Sequence, residues 1–368
     1  MTRPDLLVIG GGIIGCAAAA FAAERGASVQ LLEASEVGAG ASGRNSGAVQ
    51  HPFDPALAEL HAATRRIYDE LSAEDRAAFD FPPEPTGLLL LTDDPIAARG
   101  RISELQAAHP ELAPRLLDGH ALHALEPMVA EGLSAIRVET GFPIPPEAAT
   151  RAFAARARRA GAELRLGSRV AGLGTDGGVR LADGSILHAG AVLLAAGPWT
   201  PDLLPDAGGV SSIRPTFGVT LQVSLADAPR SVLEEGAVHT VNRQVEGNAD
   251  DGLVTFSMVN VHGTCTIGST FLASAPDPIE MAPRLLREAA RFVPAVRDAA
   301  ILQQRVCARP QSPDGRPYIG AVRGHAGVFV AAGHGPWGMS TGPASAGMVV
   351  DAILDGAAVP AEVAVDRV

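Results

Sequence analysis

The feature that most constrains the fold is a glycine-rich turn near the N-terminus. Residues 6–9 form a short apolar run, typical of a buried parallel strand, which leads directly into Gly10-Gly11-Gly12-Ile13-Ile14-Gly15 and an alanine-rich helical stretch. In such a unit Gly10 permits a tight turn, Gly12 permits close approach of a pyrophosphate, and Gly15 permits the helix to pack on the strand. The pattern predicts a dinucleotide-binding βαβ unit whose helix N-terminus, with Ile13 and Ile14, faces the phosphates.

An acidic residue follows at the distance expected for ribose recognition. Gly26 is predicted to end the helix and residues 28–32 to form the second strand, so that Glu33 lies at the strand tip, 18 residues beyond Gly15. A carboxylate at that place accepts hydrogen bonds from both ribose hydroxyls. We therefore predict cofactor contacts from Glu33 and its neighbour Ala34.

The segment 38–47 is too rich in glycine and small polar residues to form a regular element. It supplies backbone N–H groups, hydroxyls and one guanidinium, which together suit phosphate binding. The alternative is a flexible surface loop, which the same composition permits. The predicted cofactor contacts in this segment are Ser42, Arg44, Asn45, Ser46 and Gly47.

The overall composition describes a folded globule and excludes several functions. Hydrophobic residues make up 47% of the 368 residues and charged residues 19%, so disorder is not indicated. The net charge of −12 argues against nucleic acid as a partner. All 29 basic residues are arginine, which excludes Schiff-base lysines and P-loop lysines.

Cysteine usage and hydropathy point to a cytoplasmic protein that uses no metal ion. The three cysteines lack CxxC spacing, so neither a zinc site nor a disulfide framework is predicted, and free thiols are expected at Cys16, Cys265 and Cys307. The apolar stretch 6–23 superficially resembles a signal peptide, but its glycines have the better explanation given above. No other segment approaches the ~20 uninterrupted apolar residues of a membrane span.

Several blocks together resemble the FAD-dependent glycine/D-amino-acid oxidase family, which includes glycine oxidase, sarcosine oxidase and related amino-acid dehydrogenases. Besides the opening βαβ unit and residues 40–47, they are Ala195-Ala196-Gly197-Pro198-Trp199, Arg309-Pro310-Gln311-Ser312-Pro313-Asp314-Gly315 and residues 333–343. The resemblance runs nearly end to end. It implies FAD as cofactor, a Rossmann-like α/β domain built from discontinuous segments, and an antiparallel-sheet α+β substrate domain. It also implies cofactor contacts from the backbone of Val170 and from Gly197.

The order of strand-like runs agrees with that layout. We expect an FAD-binding domain from residues 1–80, 141–213 and 301–368, and a substrate domain from 81–140 and 214–300. Within the first, short runs at 162–170, 179–181, 185–188 and 191–196, broken by Asp-Gly turns at 176–177 and 183–184, predict a decorating sheet. Within the second, β-branched runs at 216–223, 237–241, 253–261 and 264–270 predict the floor of a substrate pocket.

Arg309 is the predicted substrate anchor, because a planar guanidinium binds a carboxylate through two hydrogen bonds. In glycine oxidase the arginine of the matching block binds the substrate carboxylate; a structural ion pair is the alternative for Arg309. Strand alternation places Phe256 and Met258 on one face, where they line either the pocket or the core. His51 is a candidate contact as well, although a lone histidine is more often structural.

The last block predicts a second helix N-terminus at the cofactor. A turn over residues 335–342 is expected to lead into a helix from about 343 to 354, whose positive end stabilises charge on the reduced flavin. The predicted contacts in it are Gly335, Trp337, Gly338, Met339, Ser340 and Thr341.

The sequence departs from its relatives in ways that bear on activity. Sarcosine oxidases carry a lysine that promotes reaction with oxygen, whereas the matching strand of this chain reads Cys265-Thr266-Ile267-Gly268. Glycine oxidase carries an arginine in the loop aligned with residues 334–336, and this chain has no arginine there. Cys307 matches the position at which sarcosine oxidases attach FAD covalently, although a buried inert thiol is the alternative.

These observations predict an oxidoreductase that transfers a hydride to flavin N5 from the carbon that bears the nitrogen of its substrate. The predicted substrate is a small amine or amino acid, the latter a D-amino acid or an N-alkyl amino acid. The product is an imine, and oxygen or another acceptor then reoxidises the flavin. The alternatives are a 2-hydroxy-acid dehydrogenase on the same scaffold and a non-catalytic or electron-relaying flavoprotein subunit.

Overall fold

The computed structural model of the chain describes residues 3–174, 177–236 and 253–367. Two large sheets organise these residues: a six-stranded, mostly parallel sheet and an eight-stranded mixed sheet. The predicted fold class, a Rossmann-like α/β unit with an antiparallel-rich second unit, is confirmed. Among the described residues, no helix is both long enough and apolar enough to cross a bilayer.

The six-stranded sheet is assembled from distant segments, in the order β18-β19-β12-β1-β2-β8. All neighbours are parallel except β18, which runs antiparallel to β19. Helices cover one face and a small sheet with adjoining loops covers the other, so residues alternate between two cores: Leu6 and Val8 face one, Leu7 and Ile9 the other. Burial on both faces explains why this strand is a continuous apolar run. The strands are β1 (Leu6–Ile9), β2 (Val29–Leu32), β8 (Glu163–Arg165), β12 (Ala191–Leu194), β18 (Tyr318–Ala321) and β19 (Val328–Ala332).

Four helices pack together on one face of this sheet. They are α1 (Ile13–Glu24), α3 (Pro55–Asp69), α7 (Pro146–Arg159) and the C-terminal helix α10 (Gly338–Asp355). Helix α1 lies between α7 and α10, and α10 also packs on α3. The buried alanines at 17–20 of α1 have small side chains, so the neighbouring helices approach it closely.

A three-stranded antiparallel sheet on the other face differs partly from its prediction. It contains β9 (Val170–Leu173), β10 (Val179–Leu181) and β11 (Ile186–Leu187). The runs at 162–170 and 191–196 were expected to join it, but β8 and β12 belong to the parallel sheet instead. Apolar content marks a strand without showing which sheet it joins. Asp176 of the predicted 176–177 turn lies outside the described residues.

The eight-stranded sheet has the order β17-β13-β16-β15-β14-β4-β6-β5, and helix α9 (Pro278–Ala289) packs against it. Its pairs are antiparallel except β14 with β4. The predicted strand at 237–241 lies outside the described residues. The strands are β4 (Leu88–Thr92), β5 (Arg115–Leu117), β6 (Ser134–Val138), β13 (Arg214–Ser224), β14 (Val232–Glu235), β15 (Leu253–Val261), β16 (Thr264–Phe271) and β17 (Ile301–Gln311).

The predicted domain boundary at residue 301 differs from this sheet pairing. Strand β17 begins at that boundary and pairs with β13 from Ile301 to Gln311, so it extends the sheet of the expected substrate domain. The chain crosses to the six-stranded sheet only after Gln311, at β18. Arg309 therefore projects from the larger sheet.

The remaining elements are short except for helix α5. The helices are α2 (Ala41–Arg44), α4 (Ala73–Ala77), α5 (Pro95–Ala108), α6 (Gly119–Leu125) and α8 (Thr200–Leu203). Strands β3 (Ala48–Val49) and β7 (Phe142–Pro143) form a two-stranded ribbon, and single 3₁₀ turns span Pro110–Leu112, Gly197–Trp199, Gly208–Ser212, Pro294–Asp298 and Gly335–Trp337.

Candidate active site

A cavity of about 470 Å³ opens beyond the carboxyl ends of β1 and β2, where the chain turns into α1. This is the edge at which open α/β sheets bind their ligands. The predicted cofactor residues that line it are Gly10, Gly12, Ile13, Ile14, Glu33, Ala34, Ser42, Arg44, Asn45, Val170, Gly197, Gly335, Gly338 and Met339. Residues 168–169, 198–199 and 202–203 line it as well and were not predicted.

Six predicted cofactor residues lie behind or beside this lining. Gly15 packs against the turn, where a Cβ would overlap the Gly10 carbonyl oxygen, and a Cβ on Gly47 would overlap that of Ile144. Thr341 is buried in α10 and donates to the Trp337 carbonyl oxygen at 2.9 Å. The other three line a second cavity described below: Ser46, Trp337 and Ser340.

The N-terminus of α1 is held by side chains from the following segments. Gly12 offers no capping group, and the hydroxyl of Ser42 accepts from the Ile13 N–H at 3.0 Å instead. The Glu33 carboxylate accepts from the Gly11 N–H at 2.7 Å and from the Ser35 N–H at 2.8 Å. Glu33 thus fixes the turn while it also lines the cavity.

The start of α10 differs from the prediction, because the helix begins at Gly338 rather than near Pro343. A proline inside a helix removes one N–H and leaves carbonyls of the preceding turn without their usual donors. Helix α3 supplies the missing partners. The Tyr68 hydroxyl donates to the Met339 carbonyl at 3.0 Å, His61 Nδ1 lies 3.3 Å from the Ser340 carbonyl oxygen, and the Ala344 N–H donates to Thr64 Oγ1 at 3.1 Å.

The lining fits a long dinucleotide. Residues at two helix N-termini, those of α1 and α10, line one cavity, and the positive ends of the two helix dipoles favour bound phosphate or other negative charge there. At Gly197 and Gly338 an added Cβ would meet no atom within 4 Å, so these glycines keep the backbone open to the cavity. A ligand in the cavity can therefore approach the backbone closely at both glycines.

The second cavity, about 90 Å³, adjoins the first, because Asn45, Cys307, Arg309 and Pro336 line both. Most of its lining residues are polar, and they come from the eight-stranded sheet together with residues 45–50 and 336–340. The other lining residues are Ser46, Ala48, Gln50, Thr220, Glu234, Thr255, Ser257, Ser269, Phe271, Trp337 and Ser340.

Arg309 lies at the junction of the two cavities and is only 9% exposed. Its guanidinium donates to the Thr270 carbonyl oxygen at 2.9 Å and to the Ser269 hydroxyl, and it lies 4.6 Å from the Phe271 ring centroid. Burial lowers its pKa. Within the described ranges, no carboxylate forms an ion pair with it. Gly218 provides the space, since a Cβ there would overlap the guanidinium.

The structure places Phe256 and Met258 in the core, one of the two positions expected for them. Both side chains are fully buried in the core of the larger sheet, where Phe256 stacks on Phe292 with centroids 4.6 Å apart. Thr255 and Ser257, which alternate with them, line the second cavity. The alternation along β15 is as expected, but its polar face lines the cavity and its apolar face packs on α9.

Glu234 and Gln50 are cavity residues that the sequence did not reveal. Glu234 is 7% exposed, and its Oε1 accepts from Gln50 Nε2 at 2.8 Å. A carboxylate at the end of a short strand, beside Glu235, has the appearance of a solvated surface residue. The pairing of β14 with β15 and with β4 brings it into the pocket.

His51 lies next to Gln50 but its side chain belongs elsewhere. Its ring centroid is 4.8 Å from that of His109 and 5.4 Å from that of His61, and it lines neither cavity. The structure thus places His51 outside both cavities, and a substrate contact from it stays a prediction. Alternation along an extended segment turns the side chain after Gln50 to the opposite side.

Comparison with known proteins identifies the family of the chain. The family model of the DAO FAD-dependent oxidoreductases matches residues 5–352, nearly the whole chain. The protein belongs to this family. Glycine oxidase of Pseudomonas putida is 28% identical over 96% of this chain and 95% of its own length, and hydrogen cyanide synthase subunit HcnC of Pseudomonas aeruginosa is 27% identical over 85% and 74%.

The similarity extends to the architecture. The crystal structure of glycine oxidase from Geobacillus kaustophilus superposes with a TM-score of 0.86 at 23% identity, and the match covers all of both chains. This DAO-family oxidoreductase is thus a flavoprotein enzyme of the amino-acid oxidase and dehydrogenase kind, and its cofactor is FAD.

Cys307 of the DAO-family enzyme is 3% exposed and lines both cavities, two residues before Arg309 on the same face of β17. The covalent attachment of FAD to this thiol stays a prediction. Intact-protein mass spectrometry after denaturation would detect the mass of FAD on the chain if the bond forms.

Proposed function

We propose that this enzyme oxidises the C–N bond of a small α-amino acid, either a D-amino acid or an N-alkyl amino acid, to an imine. The observation that carries the proposal is a buried guanidinium, Arg309, that forms no ion pair within the described residues and lies where the cofactor cavity meets a small polar cavity. A buried cation is costly unless an anion accompanies it, so the site favours a substrate with a carboxylate.

Arg309 would bind that carboxylate and orient the substrate. Thr270 and Ser269 hold its guanidinium in one position, so little side-chain entropy is lost on binding. A planar donor pair fixes both the position and the rotation of a carboxylate. The Cα–H bond is then presented toward the cofactor cavity in one orientation.

Glu234 favours an amine over a hydroxyl at the reacting carbon. Its carboxylate lines the cavity that Arg309 lines, and Gln50 positions it through Oε1. A site with both a cation and an anion complements the two charges of an α-amino acid, whereas a 2-hydroxy acid offers only the negative one. The small volume, about 90 Å³, favours a short side chain.

Bound FAD supplies the hydride acceptor, flavin N5. The residues proposed to contact it are those that line the larger cavity, with the N-termini of α1 and α10 nearest the negative charge. His334 also lines this cavity, and burial lowers its pKa to about 3, so it remains neutral near pH 7. The ammonium of the bound amino acid loses one proton to solvent before the hydride leaves the neutral amine, so no strong protein base is required.

The test is an anaerobic titration of the FAD-loaded protein with D-amino, L-amino, N-methyl amino and 2-hydroxy acids, followed through the flavin absorbance near 450 nm. We expect one class of amino acid to bleach the band, and readmission of air then separates an oxidase from a dehydrogenase. Bleaching by hydroxy acids alone would favour the 2-hydroxy-acid dehydrogenase. No bleaching by any class, although dithionite reduces the flavin, would favour the non-catalytic subunit.

Variants separate the roles of the two charged residues. Arg309→Lys should raise KM for the substrate at least about tenfold, because an ammonium cannot replace the two-point contact. Glu234→Gln should weaken the binding of amino acids and leave the binding of a simple carboxylic acid unchanged. Arg214→Lys, at an exposed position of the same sheet, is the matched control. An unchanged KM in Arg309→Lys would contradict the proposed anchor.

A further inference from the structure

Three side chains outside both cavities bring metal-binding atoms together. They are His51, which follows β3, His109, which follows α5, and Glu111 in the 3₁₀ turn 110–112. One ligand atom from each lies within 4.8 Å of the other two. We propose that these residues bind one divalent transition-metal ion, with Zn²⁺ the best match to two imidazoles and a carboxylate.

The distances are those of ligands around an ion rather than of hydrogen-bonded partners. Glu111 Oε1 lies 3.8 Å from His51 Nε2 and 3.5 Å from His109 Nδ1. Ligand bonds of about 2.0–2.1 Å in a tetrahedral site place neighbouring ligand atoms roughly 3.4 Å apart. Glu111 Oε1 already has about this spacing to His109 Nδ1 and is farther from His51 Nε2, and the ligand atoms, all within 4.8 Å of one another, would draw together around an ion.

Backbone hydrogen bonds hold the segments that carry the three ligands. The His109 N–H donates to the Leu105 carbonyl at 2.7 Å, and the His109 carbonyl accepts from Leu112 at 3.1 Å, which closes the turn that carries Glu111. The His51 N–H donates to Thr140 Oγ1 at 2.9 Å. Both imidazoles are thereby presented from rigid backbone before any ion binds, which lowers the entropy cost of binding.

Burial gives the site an inner and an outer side. The two imidazole side chains are each 9% exposed, whereas the Glu111 side chain is 60% exposed. An ion can therefore enter past Glu111, and water can fill its remaining coordination position, as in three-ligand zinc sites. Phe53 packs against both histidines, with ring centroids 5.9 and 6.0 Å away.

A bound ion would link two parts of the fold. His51 belongs to the segment that follows α2 and β3, whereas His109 and Glu111 belong to the connection between α5 and β5 of the larger sheet. Because the three ligands come from distant parts of the chain, an ion bound only by the folded state stabilises that state. The role is structural and independent of the proposed reaction.

The experiment uses the full-length, FAD-loaded protein after dialysis against a chelator. Isothermal titration with Zn²⁺ should give one site, and the melting temperature should rise on adding one equivalent. Glu111→Gln, a volume-conserving change at an exposed side chain, should weaken Zn²⁺ at least about tenfold and remove the rise. His109→Phe, which keeps a ring against Phe53, should do the same.

The controls are exposed residues of the same chemistry nearby. Glu104→Gln on α5 and His120→Gln on α6 should leave both the affinity and the shift unchanged. The proposal is overturned if the wild-type protein binds no Zn²⁺, so that the three side chains only form a polar cluster around Phe53. It is also overturned if Zn²⁺ binds Glu111→Gln and His109→Phe as tightly as the wild-type protein.

Discussion

Two helices begin at the cofactor cavity, and they are built in opposite ways. The start of α1 follows three glycines and is capped by Ser42, so short segments close in sequence determine it. The start of α10 contains Pro343, and its backbone hydrogen bonds are completed from α3, almost 280 residues earlier in the chain. The first N-terminus depends on local geometry, and the second depends on tertiary contacts.

The largest effect is expected from Gly15→Ala at the first helix. An added Cβ would overlap the Gly10 carbonyl oxygen, so the helix cannot keep its distance from the turn and strand. We expect loss of bound FAD, measured from the ratio of flavin to protein absorbance after purification. Gly100→Ala is the control, because its Cβ in α5 meets no atom within 4 Å and should leave FAD content unchanged. Normal FAD content in Gly15→Ala would show that the second helix alone suffices.

Acid should destabilise the start of the second helix. His334, which precedes α10, is fully buried, and desolvation, with a smaller contribution from Arg367, lowers its pKa from 6.5 to about 3. Below pH 6.5 His334 becomes protonated in the unfolded chain but stays neutral in the folded one. The free energy of unfolding therefore decreases as pH falls from 6.5 toward 3. His334→Gln should flatten this part of the stability profile, measured by urea unfolding between pH 7 and pH 4. An unchanged slope would contradict the assignment.

Tyr68→Phe should destabilise the protein by about 1–3 kcal/mol, because it leaves the Met339 carbonyl without its donor. Pro343→Ala restores an N–H four residues after Met339, and in that background Tyr68→Phe should cost less. A double-mutant cycle by urea unfolding measures this coupling. Additive effects would show that α3 does not compensate for the proline.

The smallest effect is expected from Ser42→Ala, about 1 kcal/mol, because only one capping hydrogen bond to Ile13 is lost. Thermal melts of the FAD-free protein would measure it. Ser103→Ala removes an exposed hydroxyl contact within α5 and serves as control. A larger loss in Ser42→Ala than in Tyr68→Phe would reverse the proposed difference between the two helices.

The sequence predicts the locally determined start of α1 better than the start of α10, which depends on tertiary contacts. The first βαβ unit and Glu33 depend on spacing within about 30 residues, and a glycine pattern describes such spacing directly. The start of α10 was predicted five residues late, since proline favours the first turn of a helix and the rescue by Tyr68 lies in another segment.

The candidate substrate site was predicted less completely. Alternation identifies two faces of β15 but not which face packs on a helix, so pocket and core both stayed open for Phe256, and Thr255 and Ser257 were not predicted. Glu234 depends on sheet pairing that no local pattern encodes. Arg309 was predicted because its block resembles a known family, not because its spacing reveals a buried cation.

The contact between Gly218 and Arg309 sets an order in which this site can change during evolution. An added side chain at position 218 would displace the guanidinium, so a lineage that recognises carboxylates through Arg309 in this position is expected to keep glycine there. Once Arg309 is replaced by a small residue, the vacated volume becomes available and position 218 can carry a side chain that reshapes the wall. A descendant acting on amines without a carboxylate would therefore be reached by substitution at 309 first and at 218 second.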